Sequence, residues 1–162
     1  MELGDYNYTE EILEDELTSW VEAEFATLVL PAVLEPGKNR RRVNLTRDGQ
    51  WLEIDICQEY LCPEPRWILR ARMNILFDQQ IAIITCLHVL QGLRAQGLGR
   101  QMLARLENLS RQLQITRILI DTPTQEGWKF FKHQGYREVK SKSVMVSHGQ
   151  LYSVRLEKLL SE

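Results

Sequence analysis

The sequence predicts an α+β domain: a mixed central sheet of about six to seven strands flanked by helices, with an amphipathic helix at its N-terminal end. Three observations carry the prediction. Two strand-like runs meet at Asp48-Gly49, a strong hairpin signal. Ile81 to Leu87 is a short apolar run rich in β-branched residues, suited to a core strand. Directly after it the period changes: Leu98, Met102, Leu106, Leu109 and Leu113 form one stripe of an α-helix. A chain of 162 residues can bury a real core, so residues 1–162 are read as one domain.

Each element has its local reason. Thr9 is a fitting N-cap, and Glu10, Glu11 and Glu14 suit the positive end of a helix. Leu13, Leu17, Trp20, Val21 and Leu28 then recur at helical spacing, predicting a helix from about Glu10 to Thr27. Pro31 and the cluster from Glu35 to Asn39 make a loop. Arg41 to Arg47 and Trp51 to Cys57 are the hairpin arms. In the second arm Leu52, Ile54 and Ile56 face the core. Trp51, Glu53, Asp55 and Cys57 face either solvent or the wall of an acceptor site. Cys62-Pro63-Glu64-Pro65 breaks the chain. Arg66 to Phe77 is a strand that turns at Asp78-Gln79 into the Ile81 strand. Ile115 to Asp121 is a further core strand. Thr122 or Thr124 caps a short helix from about Gln125 to His133, which Gly135 ends. Tyr136 to Val146 and Leu151 to Leu159 close the fold as a hairpin about Ser147-His148-Gly149-Gln150.

Composition narrows the class. Apolar content of 44% and charged content of 26% are those of an ordinary globular protein. No apolar run approaches the ~18 residues of a membrane span, and the acidic start MELGDYNYTEE lacks a signal-peptide pattern, so a cytoplasmic location without membrane partners is expected. Cys57, Cys62 and Cys86 are odd in number and read as free thiols, and no Cys/His spacing suggests a metal. Residues 1–37 hold ten Asp and Glu and no Lys or Arg; the remainder holds twelve acids against twenty bases. The basic body suits an anionic ligand, and the acidic segment either packs beside it or steers a cationic substrate.

Between strand and helix lies Arg94-Ala95-Gln96-Gly97-Leu98-Gly99. The first amides of a helix lack internal partners and carry partial positive charge. Gly97 and Gly99 let an anion approach the backbone, and Arg94 and Arg100 add fixed charge. Such a loop cradles a diphosphate. It is neither a dinucleotide fingerprint nor a nucleotide-triphosphate loop, since G-x-G-x-x-G and G-K-S/T are both absent.

The stretch Val89-Leu90-Gln91-Gly92-Leu93-Arg94-Ala95-Gln96-Gly97-Leu98-Gly99 resembles the V-x-P-x-x-R-G-x-G-x-G/A block of the GNAT superfamily of acyl-CoA-dependent N-acyltransferases. Gln91 replaces the usual proline and Ala95 the first glycine. A second block of that family, N-x-x-A-x-x-F-Y-x-x-x-G-F, is similar to Thr124 through Tyr136. The resemblance implies transfer of an acetyl or related acyl group from acyl-CoA to a primary amine by direct attack, with no metal. It implies that Leu87 and Val89 offer backbone groups to the pantetheine arm. It also implies that Ala95, Gln96, Gly97, Leu98, Gly99 and Arg100 hold the pyrophosphate beside Arg94, with Thr124 and Phe131 at the same site. The acceptor would be a small-molecule or protein amine; a homodimer is compatible with the resemblance, and a nucleic-acid partner is disfavoured.

The sequence departs from that family where the chemistry is done. The tyrosine that often protonates the CoA sulfur falls at Phe131, which has no proton to give. Ile83 and Thr85 stand where several members carry a base. Strict alternation puts His88 on the opposite face from Ile83 and Thr85, and only a bulge would rotate it. Glu53 and Asp55, with His88, are the candidate proton acceptors; His133 and His148 are expected at the surface. Cys86 as a nucleophile is the dissenting option. The alternatives are a non-catalytic acyl-CoA-binding sensor or regulatory module, and a basic binder of nucleic acid or another anionic partner.

Overall fold

The computed structural model describes residues 14–28, 30, 36–61, 66–94, 96–122, 124–146 and 149–160. In chain order they form α1 (Glu14–Phe25), β1 (Asn39–Asp48), β2 (Trp51–Tyr60), β3 (Arg66–Leu76) and β4 (Ile81–Val89). Then come α2 (Leu98–Gln112), β5 (Arg117–Thr122), α3 (Gln125–His133), β6 (Arg137–Val146) and β7 (Gly149–Leu159). The strands make one seven-stranded sheet in the order β1-β2-β3-β4-β5-β7-β6. Only β4 and β5 run parallel. The expected mixed sheet with flanking helices is therefore present. The expected first turn of the N-terminal helix, Glu10 to Leu13, lies outside the described residues, as do Cys62 and Ser147-His148.

One face of the sheet is dry. Leu52, Ile54 and Ile56 of β2, Ala71, Met73 and Ile75 of β3, and Ala82 and Ile84 of β4 are buried together. Against them pack Leu17, Val21 and Phe25 of α1 and the stripe Leu98, Met102, Leu106 and Leu109 of α2. Helix α3 adds Phe131 to the same cluster. Burying a Leu, Ile or Phe side chain yields roughly 1.5–3 kcal/mol. The period-two pattern of the strands and the 3.6 period of the helices thus close on one another. Arg41 ties α1 to the sheet: its guanidinium donates to the Phe25 carbonyl at the helix C-terminus, and its Nε donates to Gln58 Oε1 at 3.0 Å.

The other face is wet, and no described helix covers it. It carries carboxylates shared between arginines. Glu59 receives Arg40 at 2.6 Å and Arg42 at 2.5 Å. Asp55 receives Arg70 at 3.0 Å and Arg72 at 3.1 Å. Glu157 lies 3.4 Å from Arg117 and 3.3 Å from Arg137. Alternation hydrophobic-in, polar-out is what an antiparallel sheet with one solvated face requires.

A polar network locks the far end of α2. Tyr136 donates its hydroxyl to Glu107 Oε1 at 3.2 Å, and Lys158 Nζ donates to both Glu107 oxygens at 3.1 Å and to the Gln134 carbonyl at 2.9 Å. Gly135, at φ +91°, ends α3 and delivers Tyr136 into the core.

Burial, reinforced by the Glu107 carboxylate, pushes ionisation of the Tyr136 phenol above the ordinary tyrosine range. In the unfolded chain the same phenol ionises near ~10. Above that pH the unfolded state holds fewer protons than the folded one, so this stabilising contribution is complete below ~10 and declines as pH rises, by about 1.4 kcal/mol per unit. Tyr136→Phe should flatten the decline. Urea midpoints at pH 9 and pH 11 check this; a variant that loses stability as steeply as the parent would refute it.

Candidate active site

The strands β4 and β5 pair only from Ile81↔Arg117 to Ile84↔Ile120, although β4 runs on to Val89 and β5 to Thr122. Beyond those four pairs the strands part and leave a wedge. The β3–β4 register shifts at the same place: Met73 pairs with Ile84 and Arg72 with Cys86, leaving Thr85 as a bulge. The bulge reverses the facing of everything after it. Leu87 and Val89 join Ala71 and Leu69 on the dry face, and Cys86 and His88 join Arg72 and Arg70 on the wet one. His88 thus shares a face with Ile83 after all, the outcome for which a bulge was the stated condition.

The wedge leads to a cleft of about 470 Å³, lined on the β4 side by Leu87, His88 and Val89. Leu90 N–H donates to the Ile68 carbonyl of β3 at 2.8 Å, so alternation turns the N–H and C=O of Val89, and of Leu87, away from β3 and toward the wedge. The Val89 carbonyl accepts Arg94 Nε at 3.0 Å, and Arg94 also lies 3.9 Å from Glu126 at the opposite rim. The cleft's floor is the loop before α2. Gly97 sits at φ +79°, in the left-handed region that glycine reaches without a Cβ clash, and no side chain caps the helix there. The first amides of α2 therefore open on the cleft beside Arg94 and Arg100, which line it.

Helix α3 forms the far wall. Thr124 caps it, accepting the Gly127 N–H at 3.1 Å, which settles the choice between Thr122 and Thr124. Phe130 and Phe131 meet edge to face at 5.0 Å, and Phe131 meets Tyr136 at 5.5 Å. Both phenylalanines line the cleft, as do Gly127, Gln134 and Leu93. These last three and Glu126 were not singled out from the sequence. The i, i+3, i+4, i+7 spacing of Gly127, Phe130, Phe131 and Gln134 on one helix face was the available signal.

The structure gathers Leu87, His88, Val89, Arg94, Gly97, Leu98, Gly99, Arg100, Thr124 and Phe131 around one cleft. Gln96 is exposed in the adjoining bend, and Ala95 lies outside the described residues. Glu53 and Asp55 stand two strands away on the wet face and do not line the cleft. Burial alone would raise the Asp55 carboxyl, but the hydrogen bonds and charges of Arg70 and Arg72 outweigh it and hold it below the usual carboxylate range. Burial raises the Cys86 thiol, so it is not poised as a thiolate. His88 stacks edge to face on Trp67, ring centres 4.8 Å apart, with Arg70 as its cross-strand partner.

Known acetyltransferases share this fold. Residues 63–136 match the model of the acetyltransferase (GNAT) family. A putative acetyltransferase from Agrobacterium tumefaciens superposes with a TM-score of 0.53 at 15% identity, over 96% of this chain and 99% of that one. A GNAT family acetyltransferase from Elizabethkingia anophelis with acetyl-CoA bound gives 0.50 at 13%, over 67% and 76%. The spermidine/spermine N-acetyltransferase SpeG from Vibrio cholerae gives 0.54 at 13%, over 66% and 65%. No curated protein matches the sequence. The family match spans a little under half of the chain, and the solved structures share its fold.

Gly127 is the tightest point of the α3 wall. A Cβ there would lie 2.4 Å from Thr122 Oγ1 and 2.9 Å from Thr124 Oγ1. Gly127→Ala should therefore cost about 1–3 kcal/mol by overpacking, despite the ~1 kcal/mol that alanine gains in a helix. Thermal melts check this, and Thr122→Ala should relieve most of the cost. A Gly127→Ala variant more stable than the parent would contradict the packing.

Proposed function

We propose that this protein transfers an acyl group, acetyl foremost, from a coenzyme A thioester to a primary amine by direct attack. The acceptor amine belongs to a small molecule or to a protein. The observation that carries the proposal is the wedge between β4 and β5, continuous with the uncapped N-terminus of α2. The residues fit the ligand at both ends. The first amides of α2, flanked by Arg94 and Arg100, would hold a diphosphate. The Leu87 and Val89 backbone groups would pair with the amides of the pantetheine arm as a partner strand would. Arg94 would then leave the Val89 carbonyl for the phosphates.

Three tasks remain for the chain. The amine, with a pKa of about 10.4 when unperturbed, must lose a proton. We assign that to His88, a residue of the cleft wall whose side chain the bulge turns onto the open sheet face. Glu53 and Asp55 are left as more distant acceptors through water. The charge developing on the thioester oxygen would meet a wedge-facing N–H of Leu87 or Val89. The nitrogen–acyl bond forms as the carbon–sulfur bond breaks, and the thiolate leaves without a donor at Phe131. A thiol pKa of about 8.5 makes that departure tolerable.

A non-catalytic acyl-CoA-binding module is the second reading, favoured by Phe131 at the cleft wall where the family often has tyrosine. Normal CoA affinity with no CoA release across a broad amine panel would select it.

Gly97→Asp puts a negative side chain on a positive-φ residue where the diphosphate would sit, so calorimetry should show CoA affinity falling by at least ~10-fold. Unaltered affinity in a folded variant would remove the site. His88→Gln should lower kcat/KM by about 10²-fold or more with CoA affinity preserved. A variant with parental turnover would deny His88 the base role.

A further inference from the structure

We infer that the acceptor is an amine whose own molecule carries negative charge close by, held on the open face of the sheet by its arginines. The inference deepens the acyl-transfer proposal and rests on the cleft being the acyl-donor site. It starts from access. The three described α-helices pack on the dry face, so among the described residues the inner end of the wedge is open to an acceptor across the wet one. The bulge at Thr85 turns His88 and Cys86 onto that same face, where their direct cross-strand partners are Arg70 and Arg72. The first residues an incoming amine meets beyond His88 are thus guanidinium groups.

These groups carry charge in excess. Asp55 takes both nitrogens of a bidentate pair from Arg70, Nε at 3.3 Å and Nη2 at 3.0 Å, but only Nη2 of Arg72 at 3.1 Å. Two cations share one anion, and Arg72 Nε is buried with no partner of its own. The pattern repeats at Glu59 and at Glu157, each between two arginines. Glu53 and the one-to-one Asp121–Arg155 pair balance the face farther out, but beside His88 itself a polyamine would need the opposite ratio. Adjacent strands lie ~4.8 Å apart, so β4 to β2 spans about 10 Å. A carboxylate one to three residues from a peptide's amino group would reach the Arg70–Arg72 pair while the amine stands at His88. Trp67, 42% exposed and stacked on His88, offers an apolar shelf for the side chain between them.

The test is equilibrium binding of dye-labelled peptides to the full chain, with and without CoA. Two peptides of equal length and free amino terminus carry acidic or basic residues at their second to fourth positions. The acidic peptide should bind at least ~10-fold tighter at low salt, with the difference shrinking as salt screens it. Arg72→Gln should weaken it several-fold, and Asp55→Asn, which frees two guanidinium groups, should tighten it; opposite shifts cannot both come from unfolding. Competition by free aspartate as effective as the peptide itself would make the acceptor a small acidic amine; failure to compete would make it a peptide. Equal or tighter binding of the basic peptide or of spermidine overturns the inference, as do two variants that shift in the same direction. Calorimetry with CoA stands apart: heat with CoA but no acidic preference sinks the inference alone, and acidic preference without CoA heat sinks the donor-site proposal.

Discussion

Hydrogen bonding between the parallel strands β4 and β5 stops after Ile84 and Ile120, and the candidate site follows from that interruption. Two parallel strands that stayed paired would satisfy their backbone groups against each other and leave nothing for a ligand. Here β4 keeps its partner on the β3 side while its other edge opens. An unpaired strand edge is ordinarily a liability, since its N–H and C=O groups invite another chain. In this fold the exposed edge is short, faces a cleft, and has Arg94 on the Val89 carbonyl. Thr85 matters because the extra residue lets β4 bend away without breaking the β3 ladder, and because it decides which side chains face which way.

The sheet is asymmetric in a way that separates stability from function. Its dry face takes the three described α-helices and, among the described residues, nearly all the buried apolar side chains. Its wet face is held in order by shared carboxylates. The carboxylates of these pairs are buried or nearly so, while their arginines stay part-exposed. Their consequence beside the cleft is local: Arg70 and Arg72 share the single carboxylate of Asp55.

The Glu107 network explains why the cleft keeps its shape. It fastens the second half of α2 to β7 through Lys158, and to the end of α3 through Gln134 and Tyr136. The two helices that form the floor and wall of the cleft are thereby tied to each other behind it. Glu107 is buried, so losing one of its partners would leave a buried carboxylate oxygen short of a hydrogen bond.

The sequence by itself determined the elements and the loop. The hairpin at Asp48-Gly49, the strand–loop–helix from Ile81, the α3 helix between Thr124 and Gly135, and Gly97 at the helix start are local features. Local propensity, capping and periodicity are written in neighbouring residues. Tertiary structure alone decided the facing of His88, because a bulge is set by how β4 must bend against β3 and β5, and no single strand records it. It also decided that Asp55 is committed to Arg70 and Arg72 from another strand, and that the described helices all gather on one sheet face. These are long-range outcomes of register and charge pairing, and register is fixed only when the strands meet.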